Sequence, residues 1–140
     1  MTVSATYRLD EELKRRISEL ADAEGATETA LVSRLLDEGL KVAAHPGIVY
    51  RDGPTGRRAA LATGPDVWEI VNGVRHAEGH GEARIADAAE QMGLPERLIR
   101  LAVNFASAHP DEIEERIQLN EQAATRAREL AEQRKRLLAS

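Results

Sequence analysis

The chain has 140 residues, no cysteine, a formal net charge of −5 and only 3% aromatic residues. That length holds one modest domain or two small ones, and the missing cysteines exclude a disulfide framework and any thiolate metal site. The acidic balance excludes nucleic-acid affinity carried by a global basic field, so any such affinity must come from local placement of cations and helix ends.

No apolar run approaches the roughly twenty residues that span a bilayer, and the N-terminal residues do not read as a signal peptide, so a cytoplasmic protein without a membrane partner is expected. With aromatics reduced to Tyr7, Tyr50, Trp68 and Phe105, the apolar content is Ala, Leu, Ile and Val at helical spacing. That pattern predicts a mainly α protein with a minor β ribbon, and thin cores of this kind predict oligomers, a homodimer or higher. Proline and glycine punctuation divides the chain into residues 1–44, 45–110 and 111–140.

Ser4-Ala5-Thr6-Tyr7-Arg8-Leu9 alternates polar and apolar residues, so Ser4, Thr6 and Arg8 fall on one face of an expected strand. Asp10 reads as an N-cap for a helix whose apolar stripe is Leu13, Ile17, Leu20 and Ala21, and Gly25 ends it. Thr27 reads as the cap of a second helix carrying Leu31, Leu35, Leu36 and Leu40. A single short strand cannot satisfy its own backbone groups, and pairing with the same strand of a second copy is the simplest solution.

The run Thr6-Tyr7-Arg8-Leu9-Asp10-Glu11-Glu12-Leu13, followed by Leu20-Ala21, Glu24-Gly25-Ala26-Thr27, Leu31-Val32 and Leu35-Leu36, resembles the ribbon-helix-helix family of repressors and antitoxins. The resemblance covers nearly all of residues 3–42. It implies an intertwined dimer whose two-stranded ribbon enters the major groove of double-stranded operator DNA. By that resemblance Ser4, Thr6 and Arg8 are the base-contacting positions, with Arg8 suited to guanine O6 and N7. Thr27, Glu28 and Thr29, at the opening of the second helix, match the family's phosphate contacts, which set register rather than sequence choice.

In the middle segment, Ile48–Arg51 and Arg58–Leu61 flank the turn residues Asp52-Gly53-Pro54-Thr55-Gly56, which predicts a small hairpin. Gly64-Pro65-Asp66 opens a helix containing Val67, Trp68, Ile70 and Val71. After a polar loop from Arg75 to Gly81, helices are expected over Glu82–Met92 and Pro95–Ala108. Ala89, Gly93 and Ile99 give those two the spacing of a helix-turn-helix pair. Were that pair to read DNA, Arg97, Arg100 and Asn104 would be its exposed candidates, but a compact scaffold is the preferred reading.

His45-Pro46-Gly47-Ile48, Gly56-Arg57, Val67-Trp68-Glu69-Ile70, Ile85-Ala86 and Ala102-Val103 through Ala108-His109-Pro110-Asp111-Glu112-Ile113 resemble a poorly characterised domain that recurs in antitoxins. The resemblance spans residues 45–117 and implies a cognate toxin protein, of the PIN-domain ribonuclease type, as partner. His76 and His80 stand four apart, but the glycines around them argue for a loop, so no metal site is expected there. No nucleophile elbow, P-loop or dinucleotide fingerprint occurs, so neither an enzyme nor a cofactor is expected.

The last segment is acidic at its start and basic at its end, as a helix dipole favours. Ile113, Ile117, Asn120, Ala124, Ala127 and Ala131 make a narrow stripe, too weak to hold a long helix against water alone. A segment of this kind either folds in a partner's groove or is a solvated helix end or a coiled-coil contact within the dimer, and the pattern leaves both open. If that partner is the implied nuclease, Arg126, Arg128, Arg134 and Arg136 are the candidate toxin-binding residues. The expected function is therefore an antitoxin that represses its own operon. The alternatives are a free-standing ribbon-helix-helix regulator and an interaction scaffold that no longer binds DNA.

Overall fold

The computed structural model describes residues 1–139. Contacts divide the chain into two compact units, Met1–Ala44 and His45–Ser140. Among the described residues the structure contains six helices and one two-stranded sheet, so the protein is mainly α with a minor β component.

Residues 1–10 form neither strand nor helix and are all exposed. The strand expected at Ser4–Leu9 is absent from the single chain, whose one sheet lies elsewhere. A strand needs a neighbour to take its amides and carbonyls, and neither strand of that sheet pairs with this segment. Helix α1 (Glu11–Glu24) opens at Asp10, whose carboxylate accepts from the Leu13 amide at 3.3 Å, with Glu11 and Glu12 completing an acidic first turn. It closes at Gly25, left-handed at φ 66°, where the Ala26 amide donates to the Ala21 carbonyl at 2.9 Å. Helix α2 (Glu28–Ala44) opens at Thr27, whose hydroxyl accepts from the Ala30 amide at 3.1 Å. Ala21 and Leu31 are the buried apolar residues of this unit.

The second unit begins with a hairpin of β1 (Ile48–Arg51) and β2 (Arg58–Leu61), in which Ile48 pairs with Leu61 and Arg51 with Arg58. Helices α3 (Val67–His76), α4 (Glu82–Met92), α5 (Glu96–Ala108) and α6 (Pro110–Ala139) follow. One core joins Ile48 and Leu61 of the hairpin, Val67 and Ile70 of α3, Ile99, Ala102 and Phe105 of α5, and Ile113 and Ile117 of α6. Helix α3 lies against α4, α5, α6 and β2 and so organises the unit.

Two boundaries differ from the sequence reading. His76 is the last residue of α3 rather than part of a loop, with Nδ1 2.8 Å from the Asn72 carbonyl. Pro95 caps α5 without entering it. Helix α6 starts at Pro110, where a proline lacks nothing that the first turn needs, and runs unbroken to Ala139. Ser140, the end of the expected tail helix, lies outside the described residues.

Candidate nucleic-acid interface

The first unit is a helix pair whose apolar stripe is only half used. Leu13, Leu20 and Leu35 are each about 40% exposed and, with Ile17, line a shallow groove between α1 and α2. Leu36 at 57% and Leu40 at 71% stand further out, as do Tyr7 and Leu9 before α1. Ala21 and Leu31 cannot by themselves order two helices of this length, since short helices depend on burying an amphipathic face. The unit alone thus leaves most of its leucine stripe in solvent.

Ser4, Thr6 and Arg8 lie in the segment without regular structure and are fully exposed. Among the described residues, none forms a side-chain hydrogen bond or ion pair with any of the three. Thr27 and Thr29 are exposed at the opening of α2, and Glu28 is half-buried between them. Thr27 spends its hydroxyl on the Ala30 amide, and the amides of Glu28 and Thr29 belong to the first helical turn, which has no intrahelical acceptors.

Glu28 is engaged in a way the sequence did not indicate. Its carboxylate takes Lys14 Nζ at 2.6 Å on one oxygen and the Ser18 hydroxyl on the other, while Lys14 also reaches Ser18 Oγ at 3.2 Å. The hydrogen bond from Lys14, then that from Ser18, holds the Glu28 carboxyl below the usual carboxylate range. These partners lie 14 and 10 residues away on a different helix, so no local pattern announced them. A second clasp joins the same helices, in which Arg34 Nη2 meets both oxygens of Glu24 at 2.9 and 3.1 Å.

In the second unit the helix-turn-helix pair forms as spaced, with Gly93 left-handed at φ 65° between α4 and α5. Arg97, Arg100 and Asn104 are exposed on α5. Arg100, however, is met by Glu82 and by Glu96 at 3.5 Å, so two carboxylates answer its charge.

A cavity of about 190 Å³ lies between β2, α3 and α6, lined by Arg57, Arg58, Trp68, Glu112, Glu115 and Arg116 among others. Its cations serve the fold. Arg116 donates to the Thr55 and Arg57 carbonyls, both at 2.7 Å, pinning the hairpin turn to α6. Arg58 Nε bonds the buried Asp66, and Tyr50 donates to Glu112 at 2.6 Å. Among the described residues no group of three or more His, Asp or Glu gathers as metal ligands, and no helix is long and apolar enough to cross a membrane.

The expected toxin-binding residues Arg126, Arg128, Arg134 and Arg136 are all exposed on the outer part of α6, where Arg128 donates to the Thr125 hydroxyl at 3.2 Å. Comparison with known proteins returns no matching family model, no curated relative and no solved structure.

Proposed function

We propose that the first unit is a ribbon-helix-helix DNA-binding module, completed by a second copy, and that the protein represses transcription from its own operon. The observation that carries this reading is the uncovered leucine face of α1 and α2, preceded by an alternating segment that ends in the unpaired Arg8. Pairing residues 4–9 of two copies supplies the missing ladder partner. It also brings two leucine faces together and sets Ser4, Thr6 and Arg8 on one side of a ribbon that fits the major groove. Thr27 and the first-turn amides of Glu28 and Thr29 then flank that ribbon as phosphate contacts. The unit carries six Lys and Arg against nine Asp and Glu, so affinity on this reading is local, salt-sensitive and dependent on several dimers binding side by side.

The same reading makes the protein an antitoxin. Support comes from α6, whose residues beyond Ile117 are all exposed on the chain that bears them. A helix without a packing partner of its own is the form a docking segment takes. Arg126, Arg128, Arg134 and Arg136 would meet the carboxylates of a metal-dependent ribonuclease there, or compete with its RNA phosphates.

A gel shift on the DNA upstream of the gene, with and without Arg8→Ala, tests the first half. Co-purification with the product of the neighbouring gene, with and without residues 120–140, tests the second. A wild-type shift lost in Arg8→Ala, and a partner released by the truncation, are the expected results. A shift without any partner leaves a free-standing regulator; no shift at all removes the DNA-binding reading.

A further inference from the structure

The ion pair between Lys14 of α1 and Glu28 in the first turn of α2 stands directly beside the proposed phosphate contact at Thr27. We infer that Lys14 is itself a phosphate-binding residue of the DNA face, and that Glu28 holds it neutralised until DNA displaces the carboxylate. This inference rests on the DNA-binding reading and adds to it a contact and a means of setting affinity.

Three features argue for it. The pair is accessible, with the Lys14 and Glu28 side chains 54% and 42% exposed, so a phosphate oxygen can reach the ammonium from solvent. It is dispensable to the fold, because exposed ion pairs contribute little and the Arg34–Glu24 clasp already bridges the two helices. The exchange is also chemically like for like. A lysine ammonium binds as a compact point charge with rotatable donors, and can leave one anionic oxygen for another without a fixed geometry.

Ser18 gives the displaced state its own shape. Its hydroxyl bridges Lys14 and Glu28, and it can keep the Lys14 stem in place while the carboxylate swings out. Glu28 next to the phosphate path costs affinity on any sequence, so the pair weakens binding to all duplexes alike. For a repressor that acts as several dimers side by side, weak single-dimer binding makes occupancy depend on assembly rather than on one contact.

The test uses the full chain and two fluorescent duplexes of equal length, one from upstream of the gene and one unrelated, titrated by anisotropy across a series of KCl concentrations. Lys14→Met is expected to weaken both duplexes equally and to lower the slope of log affinity against log salt by about one, the signature of one lost phosphate contact. Glu28→Gln is expected to strengthen both by about five-fold at low salt, where charge effects are least screened. That gain should fall to twofold or less in the Lys14→Met background. Because neither side chain is buried, thermal melting of each variant should stay within about 2 °C of wild type, which separates a DNA effect from misfolding.

An unchanged salt slope in Lys14→Met overturns the inference. So does a Glu28→Gln gain of equal size in both backgrounds, since that is bulk charge repulsion and not a latch. A wild-type chain that binds neither duplex removes the DNA-binding reading and the inference with it, and is recognisable by its failure before any variant is made.

Discussion

Asp66 stands where a helix cap would stand, yet its carboxylate makes no cap hydrogen bond to α3. It takes Arg58 Nε and the Trp68 indole N–H at 3.2 Å instead. Asp66 is buried, and Arg58 Nη1 is buried with no hydrogen-bond partner, so the pair is held at a cost. Removing one member of a buried pair strands the other charge, whereas removing both removes the cost as well. Asp66→Ala is therefore expected to destabilise the protein by about 3 kcal/mol in urea unfolding. The double variant Arg58→Met with Asp66→Ala should lose less than that single change. An additive double variant would mean that the two side chains contribute independently. Thr27→Ala belongs at the same scale, with a smaller loss of about 1 kcal/mol for the missing cap.

At the scale of elements, α6 has two unlike halves. Ile113 and Ile117 are 3% exposed in the core of the second unit, and Arg116 between them clamps the hairpin turn. Beyond Ile117 every described residue of the helix is exposed. Ile113→Ala or Ile117→Ala should each cost about 2–5 kcal/mol, while deleting residues 120–140 should leave the thermal midpoint within about 4 °C, as few packed contacts are lost. A truncation that melts far lower would show that the outer helix supports the fold.

The caps of α1, α2 and α4 were legible because Asp10, Gly25, Thr27 and Gly93 act within a few residues of themselves. The hairpin was legible because its turn is rich in glycine and its flanks are apolar. The Pro110 punctuation was visible, but it marks only where a helix starts. Whether that helix joins the preceding core depends on contacts such as Arg116 to Thr55, 61 residues apart. The Lys14–Ser18–Glu28 network was hidden for the same reason, and the N-terminal strand was overstated because alternation alone does not supply a ladder partner, and residues 1–10 have none within the single chain.

At the scale of the whole molecule, the first unit decides whether the DNA-binding reading holds. Two helices of one small unit with Leu13, Leu20, Leu35, Leu36 and Leu40 all exposed leave more large apolar side chains in water than a monomer usually does. The protein should sediment as a dimer at micromolar concentration. Leu36→Lys discriminates well, because Leu36 is 57% exposed in the single chain and a substitution there should change the stability of the chain itself by about 0.5 kcal/mol or less. In the dimer the same lysine would be driven into an apolar interface without a partner. Sedimentation should then report monomer, and the gel shift should vanish although Arg8 is untouched, because a single ribbon strand cannot fill the groove. A wild-type protein that stays monomeric at tens of micromolar would remove the dimer and with it the ribbon, whereas a Leu36→Lys protein that remains dimeric and still binds DNA would place the dimer contact elsewhere.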